Sequence, residues 1–201
     1  MLIGEIRDAE TAGIALRAAM TGHMVLSTLH TGDAISTATR LVDMGVESFL
    51  VAASLKCVLA QRLIRTNCEY CLEDYQPDPA ELAWVLGHAN SEVAGKYSYK
   101  RGRGCSRCNK TGYLGRMGIF ELLEIDTPMS TALRHGDIEL LHKLADESPG
   151  YTRLFHSALA LARDGVTTLE EVARVAEIDD GDLDPVTKVQ SGTESVETAV
   201  L

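Results

Sequence analysis

Two CxxC pairs constrain this chain more than any other feature. Cys68-Glu69-Tyr70-Cys71 and Cys105-Ser106-Arg107-Cys108 each set two sulfurs on one side of a tight turn. One ion drawing on both would join two distant segments through four thiolates at tetrahedral geometry. Zn²⁺ is the expected ion, and with sulfur at every position no water is bound, so the ion is structural. The gap between the pairs exceeds the usual zinc-ribbon spacing. It leaves room for a proline-bearing linker, Gln76-Pro77-Asp78-Pro79, and a short helix over Ala80 to Leu86 that contains Trp84. The evident apolar cluster there is small (Leu82, Trp84, Val85 and Leu86), and structural zinc supplies roughly 10–16 kcal/mol in small peptides, so such a subdomain depends on its metal.

Two disulfides, redox-active CxxC pairs or an iron–sulfur cluster are competing uses of the same cysteines. Arg101, Arg103, Arg107, Lys110 and Arg116 can offset a negative tetrathiolate centre. With Tyr97, Tyr99 and Tyr113 they would equally suit a zinc ribbon that binds nucleic acid. Cys57 has no partner in sequence and reads as a small buried apolar residue. Five cysteines, an odd number, argue against a purely disulfide-stapled secreted domain. The N-terminus lacks the pattern of a signal peptide, and no run approaches ~20 apolar residues, so the expected location is cytoplasmic.

The N-terminal stretch, MLIGEIRDAETAGIALRAAMTGHMVLSTLHTGD, has the pattern strand, helix, strand. Met1-Leu2-Ile3 delivers Gly4 and Glu5, and Met24-Val25-Leu26 delivers Ser27, Thr28 and then His30. Between them Asp8 can cap a helix over Ala9 to Met20, which Gly22 can close. Open α/β sheets bind ligands at the carboxyl ends of their strands, so Glu5 and His30 stand where a pocket is expected. Asp33 can then cap a helix over Ala34 to Met44, ended by Gly45, and a second helical run covers Glu47 to about Leu55. Cys57 to Ile64 suits a strand or a helix. Four helical patterns close the ordered chain: Pro128 to Arg134, Ile138 to Ala145, Tyr151 to Arg163 and Thr168 to Ala176.

Several of these stretches, in order, resemble the secretion ATPase superfamily, the hexameric motors of type II secretion and type IV pilus assembly. Gly4-Glu5-Ile6-Arg7-Asp8 with Glu10-Thr11-Ala12 is similar to its Walker B box. Thr21-Gly22-His23 and Ser27-Thr28-Leu29-His30-Thr31 are similar to its histidine box. Ala60-Gln61-Arg62-Leu63, Gly112 to Leu123, and Ala162 to Val172 resemble later family segments. The resemblance implies an α/β fold: the C-terminal half of a RecA-like P-loop NTPase core over residues 1–66, a tetracysteine zinc insertion over 67–111, and a return strand with a C-terminal helical subdomain over 112–176. It implies that Glu5 polarises the attacking water or supports Mg²⁺, and that His30, with His23 nearby, contacts the γ-phosphate of ATP. It makes Cys57 to Ile64 a strand. The four cysteines point to an assembly motor, since retraction-type relatives lack them. Such a motor is a homo-hexamer that engages inner-membrane platform and cytoplasmic adaptor proteins, and so lies peripherally at the inner membrane.

The phosphate cradle that such an ATPase needs, G-x-x-x-x-G-K-[ST], does not occur in this sequence. The expectation is therefore a fragment that does not hydrolyse ATP alone. Its first strand would lack neighbours, with open apolar edges that favour self-association. The alternatives are the nucleic-acid-binding zinc ribbon and a non-functional truncated remnant. Residues 177–201 hold seven acids against Lys188 and so account for 6 of the chain's 10 net negative charges. Few apolar residues offset the cost of ordering them, and a disordered tail is expected. With the body of the chain near neutral, nonspecific nucleic-acid binding is disfavoured.

Overall fold

The computed structural model describes residues 1–89, 98–180 and 197–200. The chain forms two compact units, one from residues 1–61 and 120–153 with the C-terminal strand, the other from the described parts of 62–119 and 154–186.

The first unit starts from a parallel pairing of the two N-terminal apolar runs. Leu26 N–H donates to Met1 O and Ile3 N–H to Leu26 O, and the ladder continues with Ile6 N–H to Thr28 O. Asp8 caps α1 (Ala9–Met20) by accepting from Thr11 N–H at 2.7 Å. The chain reverses at Gly22, whose φ of +92° suits glycine, and enters β1 (Ser27–Leu29). Asp33 and Ser36 form a reciprocal capping box on α2 (Ala34–Asp43). Then come α3 (Ser48–Ser54) and β2 (Cys57–Asn67).

Burial decides the nature of β2. Val58, Ala60, Arg62 and Ile64 are buried in strict alternation, the period of a strand. The chain returns along β5 (Tyr113–Glu124), where Ile125 N–H meets Lys56 O at 2.8 Å. It closes with α5 (Thr127–His135) and α6 (Ile138–Asp146). Ala12, Leu16, Leu29, Ile35, Leu41, Val51, Met129 and Leu141 fill the core.

A final strand, β6 (Glu197–Val200), runs antiparallel between β1 and β2. It sets Val200 opposite both Ser27 and Val58, and Glu197 opposite Gln61. It thus covers the facing edges of β1 and β2 and does not touch the Met1–Ile3 run, and the expected disorder of 177–201 is corrected at 197–200. It is corrected also at 177–180, which belong to a helix; residues 181–196 and 201 lie outside the described residues.

The second unit is built around the cysteines. From β2 the chain enters a 3₁₀ turn at Glu69–Cys71. The antiparallel pair β3 (Leu72–Tyr75) and β4 (Tyr99–Gly102) sets Leu72 opposite Gly102 and Tyr75 opposite Tyr99. Gly102 and Gly112 pass so closely that a Cβ on either would strike the other's carbonyl. Between the strands lies α4 (Pro79–Ala89), and α7 (Leu154–Arg163) and α8 (Leu169–Asp180) complete the unit. Trp84 of α4 packs edge-on against Phe155 of α7, with ring centroids 6.1 Å apart. The cysteine module thus falls in one compact unit with α7 and α8, whereas the sequence reading set 67–111 apart from 112–176.

Candidate functional site

Glu5 and His30 meet because the ladder puts both strand ends on one side of the sheet. His30 Nε2 lies 3.3 Å from Glu5 Oε2, and Thr28 Oγ1 donates to Gly4 O at 2.8 Å, holding the tips together. Both side chains are open to solvent, Glu5 at 35% and His30 at 52%. Arg7 Nε sits 2.7 Å from the same carboxylate oxygen. That hydrogen bond, partly opposed by burial and aided by His30, holds the Glu5 carboxyl below the usual range. Glu5 is thus a carboxylate at neutral pH, able to accept a proton or face a cation.

Arg7 is the member of this group that the sequence reading did not single out. The signal was its spacing, two residues after Glu5 in extended chain, which puts both on one face. His23 is the opposite case. Its ring lies against the end of α1, with Nδ1 3.2 Å from Thr21 Oγ1 and 3.3 Å from Ala18 O. It stands at the Met1 end of the ladder, while Glu5 and His30 stand at the other. Strand β1 runs between His23 and His30.

The four cysteines do converge. Their sulfurs all lie within 4.8 Å of one another. Cys68 Sγ is 3.9 Å from Cys105 Sγ, Cys71 Sγ is 3.9 Å from Cys108 Sγ, and Cys105 Sγ is 3.7 Å from Cys108 Sγ. A tetrahedron with ~2.3 Å metal–sulfur bonds has edges of about 3.8 Å, so the cluster has the size of a one-ion site. The same distances are far beyond a disulfide bond of ~2.05 Å, and every cysteine is free.

Backbone amides point at the sulfurs. Gly104 N–H donates to Cys71, and Cys105 and Gly112 N–H donate to Cys108. The donor from Cys105 leads in drawing the Cys108 thiol down to about 6. Burial pushes Cys71 up to about 12, the behaviour of a buried thiol that ionises only against a cation. Cys68, Cys71 and Cys108 are buried. Residues past the second pair, Asn109 and Lys110, take positive φ of 51° and 67°. That turns the chain so that Lys110 N–H reaches Cys105 O at 2.8 Å. The four sulfurs could hold a metal ion.

Two of the basic residues around this centre have local partners. Arg101 lies over the Tyr75 ring at 5.3 Å and pairs with Glu73 at 3.3 Å, and Arg107 covers Tyr70 at 4.1 Å. Of the tyrosines considered for base stacking, Tyr99 is 1% exposed. Tyr113 has Arg65 over its ring at 4.1 Å and its hydroxyl 2.7 Å from Thr168 Oγ1. Tyr97 lies outside the described residues. The nucleic-acid alternative therefore loses both of its described aromatic platforms. Cys57 is half-buried, and burial with the Glu124 charge pushes its thiol up, as fits an inert packing residue.

Comparison with known proteins agrees with this architecture. Residues 1–174 match the family model described as type II/IV secretion system protein. The chain is 47% identical over 172 residues to the type IV pilus assembly ATPase PilB of Thermus thermophilus, covering 86% of this chain and 19% of that protein. It is 48% identical over 177 residues to the type II secretion system protein E of Dickeya dadantii, covering 87% of this chain and 34% of that one. It thus spans about a fifth to a third of the length of these relatives. The crystal structure of the pilus retraction motor PilT with bound ADP superposes with a TM-score of 0.57 at 23% identity, over 92% of this chain and 39% of that one. That likeness establishes the fold alone. With the family model covering all but its last residues, the chain belongs to the type II/IV secretion system protein family.

Proposed function

We propose that this chain supplies the C-terminal half of an assembly motor's ATPase domain, the part carrying the water-activating carboxylate and the phosphate-facing histidine. The observation that carries the reading is the approach of Glu5 and His30 to 3.3 Å at adjoining strand ends. Glu5, kept ionised beside Arg7, polarises the attacking water or supports Mg²⁺, and His30, 52% exposed beside it, meets the γ-phosphate. His23 has no part in this chemistry. The tight hold on the β- and γ-phosphates comes from a glycine-rich loop outside this sequence, so the chain alone is a half-site. In the complete motor, a homo-hexamer, hydrolysis powers pilin or pseudopilin assembly at the cytoplasmic face of the inner membrane, through platform and adaptor proteins. Among the described residues no helix is long and apolar enough to cross a membrane.

Cys68, Cys71, Cys105 and Cys108 hold one Zn²⁺ in this reading, because the set is all thiolate and has the size of a tetrahedral site. Bound there, the ion fixes the fold of the knuckle and takes no part in hydrolysis. A fusion tests the catalytic reading. The part of the Thermus thermophilus relative that precedes the matched region is joined ahead of Met1, and Mg²⁺-dependent ATP turnover is measured. The proposal predicts turnover that falls at least ~100-fold in Glu5→Gln and falls in His30→Ala but not in His23→Ala. Full turnover in Glu5→Gln would refute it.

A further inference from the structure

Glu121 is a carboxylate sealed in the core of the first unit, 1% exposed, on a strand position that an apolar residue would fill at less cost. Its Oε1 accepts two hydrogen bonds from elements far apart in sequence. Ala34 N–H donates at 3.0 Å and Tyr151 Oη at 2.7 Å. Ala34 is the first residue of α2, four positions after His30, so the bond fixes the end of the loop that carries the histidine. The positive end of α2 favours an anion at that point. Asp33 already caps the helix through Ser36 N–H at 2.7 Å, and Thr37 Oγ1 closes the turn on Asp33 O at 2.8 Å and on Thr31 Oγ1 at 2.6 Å. Glu121 thus adds a tether from a different element to a helix that has its own cap.

Tyr151 is held as a donor, since burial foremost, then the Glu121 charge, push its hydroxyl far above the ordinary tyrosine value. The places of the two residues in the chain carry the argument further. Phe120 and Arg153 are the positions at which the chain enters and leaves this unit along its second stretch. Glu121 and Tyr151 stand one and two residues inside them. One buried oxygen therefore ties the histidine loop to both ends of that stretch.

We propose that Glu121 is the positioning residue of the His30 loop and Tyr151 its latch, so that a displacement of His30 is carried to both ends of the 120–153 stretch. The use of this device in hydrolysis rests on the nucleotide reading above; the device itself does not.

The test uses the full chain without nucleotide, so that its outcome is independent of whether the fusion hydrolyses ATP. Amide hydrogen exchange and the His30 imidazole resonances are compared in wild type, Glu121→Leu, Glu121→Gln and Tyr151→Phe, with the amide of Val51 as a reporter of the intact core. Glu121→Leu speeds exchange at Ala34 at least roughly tenfold and shifts the His30 signals, while Val51 keeps its protection. Glu121→Gln, which retains an acceptor oxygen, stays within about threefold of wild type at Ala34. Tyr151→Phe shifts the His30 signals although Tyr151 lies 121 positions away in sequence. Unchanged Ala34 exchange and His30 signals in a folded Glu121→Leu chain overturn the positioning role. Should that variant not fold, Tyr151→Phe decides: unmoved His30 signals overturn the proposal.

Discussion

Glu171 shows how much one side chain can hold in place. Its side chain has no exposed surface, yet it accepts from Arg65 through the backbone N–H at 2.8 Å, Nε at 2.8 Å and Nη2 at 2.6 Å, and from Arg174 Nη2 at 3.1 Å. Burial pushes its carboxyl up, but the Arg65 and Arg174 donors outweigh it, and the folded value lies below the unfolded 4.5. A depressed carboxyl stabilises fully above its unfolded value, and the contribution is lost as pH falls through the folded one. Glu171→Gln is expected to cost about 3 kcal/mol at pH 7, since it leaves a guanidinium pair unmatched. The difference from wild type should shrink as pH falls below about 4.5. Urea unfolding followed by Trp84, the sole tryptophan and part of the same unit, measures both. The difference is the informative quantity, because thiolate protonation weakens a metal centre in wild type and variant alike. Glu5 was legible in the sequence because its strand and the one ending at His30 announce themselves by short apolar runs. Glu171 and Glu121 were not, because a buried carboxylate looks like a surface one until its long-range partners are known.

At the scale of the element, local signals were read well and long-range pairings were not. Asp8, Asp33 and the glycines after them marked α1 and α2 to within a residue or so, since caps act within one turn. The CxxC pairs marked the knuckle because thiolate geometry is encoded in four residues. Strand β6 escaped, as its four residues sit in an acidic stretch and its partners lie more than a hundred positions away. The packing of Trp84 on Phe155 escaped for the same reason, and with it the true extent of the second unit. Two predictions belong here. A strong chelator, or Cys71→Ser, should abolish protection of the β3–β4 amides and lower the bound metal from about one ion per chain toward none, by elemental analysis. Deleting residues 197–201 should expose the facing edges of β1 and β2. Faster exchange there and concentration-dependent association in sedimentation are the expected results; an unchanged monomer with unchanged exchange would speak against a sheet role for β6.

For the molecule as a whole, one unit presents the carboxylate and histidine, and the other carries the cysteine centre together with α7 and α8. Membership of the family agrees with a fold in which the strand tips, the helix caps and the buried Glu121 tether are all in place. The chain spans about a fifth to a third of the length of the relatives named above. In the function proposed above, this chain holds one half of a motor's active site. Steady-state ATP hydrolysis by the purified 201-residue chain with Mg²⁺ tests this directly. A rate indistinguishable from buffer is expected, and Mg²⁺-dependent turnover abolished by Glu5→Gln would refute the proposal.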